Sequence, residues 1–150
     1  MRWKFVTWLT VKATDLSDWL LRNRNWHYTA ADYRKMPENS LGKKLIDSMD
    51  RNQIPFKPNL VRHDLKHVLL GYQMNMPDEL RIHAFLIGNR SYNPMAITYL
   101  LICVAIVPEV IPMLRKDFKR GRKAICLKDI PLENYIESDL ITCQKKWRLL

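Results

Sequence analysis

Phe5, Leu9, Ala13, Leu16 and Leu20 recur at spacings of four, four, three and four, the period that keeps one side of a helix apolar, and they predict an amphipathic first helix. Arg22 to Glu38 is polar and aromatic without a period and reads as a connector. Ser40 can cap the next helix through its hydroxyl, with Leu41, Leu45, Ile46 and Met49 as its buried stripe, and the run from Asn52 to Asn59, holding Pro55 and Pro58, ends it. Leu60 to Gly88 reads as two helices separated by a break from Gly71 to Pro77, where Pro77 can open the second.

After a turn from Asn89 to Pro94, the stretch Met95 to Val107 contains no charge. It is too short to cross a bilayer and meets Pro108, Glu109 and Pro112, so it is predicted to be a central buried helix. Arg115 to Lys123 carries six basic residues, and Gly121 is available to end that helix. Asp129 and Pro131 open a last helix with Leu132, Tyr135, Ile136, Leu140 and Trp147 facing inward. Alternating strand patterns are scarce, and the periodicity predicts an all-α domain, single and compact, of about six to seven helices with a buried apolar central one.

A length of 150 residues with 47% apolar side chains suits one domain with a real core. The net charge of +10 favours anions, whether nucleic acid, anionic lipid or phosphorylated substrate, without choosing among them. Cys103, Cys126 and Cys143 have neither paired nor metal-type spacing and suit reduced thiols. Trp3 and Trp8 beside Arg2, Lys4 and Lys12 suit either packing on the domain's own core or a seat at a membrane interface. The apolar segment at the start is too short and polar for a signal peptide, so no removable targeting sequence is expected.

The candidate chemistry lies between Leu60 and Gly88. With about 100° per residue, His63, Asp64 and His67 share one face of a helix, while Leu65, Val68, Leu69 and Tyr72 occupy the other. Leu60, Leu70 and Gly71 complete the histidine face, without a Lys or Arg to solvate it, so both faces are expected to be buried. Two buried imidazoles and a carboxylate each need a partner, and one divalent cation satisfies all three. A helix hairpin would return Glu79 to the same ion. The plainer reading is a satisfied core or surface pair, with Asp78 and Glu79 complementing a helix dipole. His83, four residues after Glu79, reads as a supporting or structural residue before it reads as a ligand.

The chain resembles the coenzyme Q biosynthesis protein 4 family, whose His-Asp-x-x-His signature is followed after eleven residues by Glu; His63, Asp64, His67 and Glu79 match it in full. Pro37, Ser40, Leu41 and Gly42 resemble the family's Pro-x-x-(Ser/Thr)-(Leu/Phe)-Gly turn. Glu109, Ile111 and Pro112, then Gly121, Arg122 and Ala124, resemble its Glu-x-Ile-Pro and Gly-Arg-x-Ala segments. The match runs from about Pro37 to the end of the chain.

The resemblance implies an all-helical protein, peripheral on the inner, cytoplasmic face of a membrane. A divalent metal, usually zinc, would be held by His63, Asp64, His67 and Glu79. It further implies a polyprenylated quinone precursor as substrate and C1 decarboxylation with oxidative hydroxylation of its benzoate ring. Association with other quinone-biosynthesis proteins follows too. Arg122 would meet the anionic headgroup, and the Met95 to Val107 helix would shelter the isoprenoid tail. Other readings are a non-catalytic prenyl-lipid scaffold, a zinc peptidase using the shorter Asp64 in place of glutamate, and a basic nucleic-acid-binding module resting on Arg115 to Lys123 and Arg22 to Arg24. An exposed apolar helix face would favour a homodimer.

Overall fold

The computed structural model describes residues 1–21, 26–92 and 94–150. Among them the chain forms eight α-helices and no strand: α1 (Arg2–Leu21), α2 (Ala30–Arg34), α3 (Leu41–Asn52), α4 (Val61–Leu70), α5 (Met76–Gly88), α6 (Pro94–Ile106), α7 (Ile111–Lys123) and α8 (Leu140–Lys146). The fold is all-α, as predicted. Its extra helix is α2, inside the segment read as a connector. Thr29 caps α2 by accepting from the Asp32 backbone, and Asp32 returns the bond to the Thr29 backbone, which lets five residues hold a turn too short to show a period. The side chain predicted at Leu20, and the basic stretch from Arg22 to Arg24, lie outside the described residues.

Local chemistry sets the helix limits around the site. The Ser40 hydroxyl accepts from the Lys43 backbone at 3.1 Å and starts α3, which buries Leu41, Leu45, Ile46 and Met49 as predicted. Gly71, at φ 73°, takes the left-handed conformation that ends α4. Asn75 caps α5 by accepting from the Asp78 backbone at 3.0 Å, and Pro77 sits in its first turn.

Helix α5 is shared by two apolar clusters. Ile82, Phe85 and Leu86 enter the larger one, with α3, α4 and the C-terminal segment. Leu80 and Ala84 enter the smaller one, with Val6 of α1, Cys103 of α6 and Leu114 of α7. Glu79 and His83, one turn apart, share a face of α5.

On another side, α5 crosses α7 at a pair of glycines. A Cβ on Gly88 would stand 2.1 Å from the Phe118 carbonyl oxygen, and one on Gly121 would stand 2.1 Å from that of Phe85. Gly121 therefore does not end α7, as its type suggested; the helix continues to Lys123, and the glycine permits the close approach. Buried Asn89 then secures the chain leaving α7, donating to the Gly121 and Ile125 carbonyls and accepting from the Leu127 backbone.

Three expectations need correction. The apolar helix forms as α6 but is not buried: Ala96 and Cys103 are its buried residues, whereas Leu101 is 64% exposed and Met95 and Ile102 are also exposed. A helix apolar on every side encodes no inner face, and here α1 and α5 cover only part of it. In α1 the inward line runs through Val6, Leu9 and Thr10, while Phe5 and Leu16 face outward with Trp8, which is 54% exposed. The predicted last helix is split, because Asp139 caps a fresh start at α8, accepting from the Thr142 backbone at 2.8 Å. The residues before it pair with the start of α3, as Leu41 and Gly42 donate to the Ser138 and Ile136 carbonyls. Among the described residues, no single helix is long and apolar enough to cross a membrane.

Candidate metal centre

The hairpin of α4 and α5 brings Glu79 to the histidines, as the sequence predicted. His67 Nε2 stands 2.9 Å from Glu79 Oε2 and 3.2 Å from His63 Nε2. His63 Nε2 is 3.2 Å from Oε1 and 3.5 Å from Oε2 of the same carboxylate. One ligand atom from each of His63, His67 and Glu79 lies within 4.8 Å of the other two. His67 is 2% exposed, while His63 and Glu79 are partly buried. The opposite face of α4 is buried too, through Leu65 and Leu69, and so is Tyr72 just beyond its end.

Tautomers decide what this cluster can hold. Nδ1 of His67 is 3.1 Å from the Gln73 carbonyl oxygen, which accepts only if Nδ1 carries the proton. Neutral His67 then turns a bare Nε2 lone pair toward an anionic carboxylate oxygen and a second imidazole nitrogen. Such a set needs a cation at its centre, a proton or a metal ion. Donor separations of 2.9 to 3.5 Å match the edge of about 3.3 Å expected for a tetrahedron with bonds of about 2.0 Å. The residues therefore fit a divalent ion of the kind imidazole and carboxylate bind, without fixing which.

The electrostatics agree. Burial pushes the Glu79 carboxyl up, but His63, His67 and His83 outweigh it and hold the group well below its ordinary value of 4.5. Burial opposes a charge on His63, yet Glu79 raises its pKa above 6.5. The Asp64 carboxyl is raised by burial against the pull of His63 and His67.

Asp64 is outside the group of three ligand atoms. It borders the adjoining cavity of about 240 Å³, with His67, Glu79, Thr7, Thr10 and Met76. The wall facing the site comes from α1 and the chain at the start of α5. A larger recess of about 390 Å³, between α2, α3 and Phe56, shares Ile54 with this cavity and holds the exposed Arg34–Asp50 ion pair. Arg122 is exposed in the last turn of α7 and does not border the cavity.

The residue that sequence reasoning placed only at the margin is His83. Its Nε2 is 3.2 Å from Glu79 Oε1, and its ring packs edge-on against Tyr99 of α6. The four-residue spacing from Glu79 was the available signal. In comparisons with known proteins, no family model matches the chain and no curated protein matches it.

Proposed function

We propose that this protein binds a divalent metal, with zinc the leading choice, and acts on a polyprenylated hydroxybenzoate in quinone biosynthesis, in C1 decarboxylation with oxidative hydroxylation, the carboxyl leaving as carbon dioxide and an external two-electron oxidant such as dioxygen being reduced. The reading joins the resemblance to the coenzyme Q biosynthesis protein 4 family to one observation: His63, His67 and Glu79 converge beside a largely apolar cavity. A bound metal would supply a Lewis acid for the ring's carboxylate or phenolic oxygen.

The chain's own residues divide the remaining work. His63, His67 and Glu79 would hold the ion, and the Asp64 carboxyl lines the cavity beside them. A cavity of about 240 Å³ is below the usual range for a whole ligand of about 300–1,000 Å³ and suits the ring alone. The isoprenoid tail leaves along the apolar faces of α1 and α6, where Phe5, Trp8, Leu101 and Ile102 are exposed. Lys4 and Lys12 on α1 and the +10 net charge favour an anionic membrane surface there. The same surface serves other proteins of the pathway or a second copy of the chain.

The test is release of labelled carbon dioxide, in air-saturated buffer, from a prenylated 4-hydroxybenzoate carrying ¹³C in its carboxyl group, by wild-type protein and His67→Ala. Release by the wild type alone supports the reading. Retention of the lipid by both, with release by neither, replaces turnover with a binding role. Absence of both retention and release removes the lipid assignment.

A further inference from the structure

We propose that His83 is a positioning residue of the metal centre, whose Nε2–H holds Oε1 of Glu79 and thereby keeps Oε2 turned toward Nε2 of His67. The inference rests on the metal reading of those three residues and adds the group that fixes the carboxylate.

The geometry distinguishes this role from direct ligation. Oε2 of Glu79 lies 2.9 Å from His67 Nε2, while Oε1 is 3.2 Å from both His83 Nε2 and His63 Nε2. A carboxylate can rotate, and a donor on one oxygen fixes which lone pairs the other presents. Nδ1 of His83 is buried without a hydrogen-bond partner. If Nε2 bound a metal, the proton of a neutral imidazole would sit on Nδ1, a donor buried with nothing to receive it. With the proton on Nε2 and aimed at Glu79, Nδ1 carries only a lone pair. His67 has the opposite arrangement: the Gln73 carbonyl beside Nδ1 can only accept, which leaves Nε2 of the neutral ring bare.

The ring of His83 is also held in place. Its centroid is 5.1 Å from that of Tyr99, edge-on, and 5.9 Å from that of His63. Tyr99 is fixed in turn by a 2.6 Å hydrogen bond between its hydroxyl and Thr10 of α1. Glu79 and His83 stand one turn apart on α5, so the donor reaches the carboxylate from the same helix.

The experiment compares Zn²⁺ affinity, by competition with a chromophoric chelator, in wild type, His83→Leu and His83→Gln. It is paired with the visible spectrum of each Co²⁺ form. Loss of an outer hydrogen bond to a ligating carboxylate costs about 10- to 100-fold in affinity. His83→Leu is expected to show that loss, His83→Gln, which restores an N–H donor, to recover most of it, and all three cobalt spectra to report the same ligand number. Unchanged affinity in His83→Leu, or a cobalt spectrum that loses a nitrogen ligand, overturns the proposal while the metal reading stands. A wild type that binds neither ion overturns both. Long-range ¹H–¹⁵N spectra of the zinc-loaded wild type need no variant: a proton on His83 Nε2 and none on Nδ1 supports the role, and the reverse refutes it.

Discussion

His63 and His67 point their Nε2 atoms at each other across 3.2 Å, with the carboxylate of Glu79 closing the triangle. Two imidazole nitrogens at that distance share one proton or one ion. The Gln73 carbonyl, by engaging Nδ1 of His67, leaves Nε2 of the neutral ring as an acceptor.

Glu79→Gln keeps the shape of this arrangement and removes its charge. Metal affinity in that variant is expected to fall by more than the roughly 10- to 100-fold lost when an outer partner is removed, because a ligand atom is altered. Competition titration against wild type measures the ratio, and equal affinities would refute it.

Protons and metal compete for the same nitrogens. Glu79, held well below 4.5, contributes stability that is present above that value and is lost as pH falls through its lowered pKa. His63, raised above 6.5, contributes stability that is present below that value and is lost as pH rises through its raised pKa. In chelator, the melting-temperature advantage of wild type over Glu79→Gln is therefore expected to be greatest between about pH 4.5 and 6.5. Added zinc is expected to carry that advantage to higher pH, where the ion takes the proton's place. Thermal melts across pH, with and without zinc, check both statements.

The two glycines at the α5–α7 crossing differ in kind from Gly71. Ala at position 88 or 121 gains helix propensity of about 1 kcal/mol but drives a methyl group into a backbone carbonyl at 2.1 Å. The backbone cannot turn aside as a side chain can, so a net loss of about 1–3 kcal/mol or more is expected. Gly71→Ala meets no atom within 4 Å, but its φ of 73° carries a left-handed cost of about 1–2 kcal/mol. Denaturant titration separates the cases. Relieving the crossing by Phe118→Ala would not rescue Gly88→Ala, because the clash is with the Phe118 backbone.

Replacing exposed Trp8 and Leu101 together by Ser is expected to weaken sedimentation with anionic vesicles by about ten-fold or more, since burial of a large apolar side chain contributes about 1.5–3 kcal/mol. Neither residue borders the cavity beside the histidines, so zinc affinity is expected to stay at the wild-type value. Unchanged vesicle binding would remove α1 and α6 from the membrane proposal.

Helices whose information is local could be read from the chain. Ser40 and the stripe after it delimited α3 because cap and period lie within a few residues of each other. The His63–Glu79 hairpin followed from Gly71 and Pro77 in the same way. What escaped depended on distant neighbours. Leu101 and Cys103 look alike in an uncharged run, and only the position of α1 and α5 leaves one exposed and the other buried. Gly121 has the residue type of a helix end, yet its use is set by Phe85, thirty-six positions earlier. The cavity wall from Thr7 and Thr10 likewise depends on α1 returning to α5, which no spacing encodes.

Elemental analysis of the purified protein, beside His67→Ala, tests the metal centre most directly. About one divalent ion per chain, lost in a variant that retains the wild-type helical spectrum, is the predicted result. A folded wild type that contains no metal and takes up neither zinc nor cobalt would contradict the account at its centre.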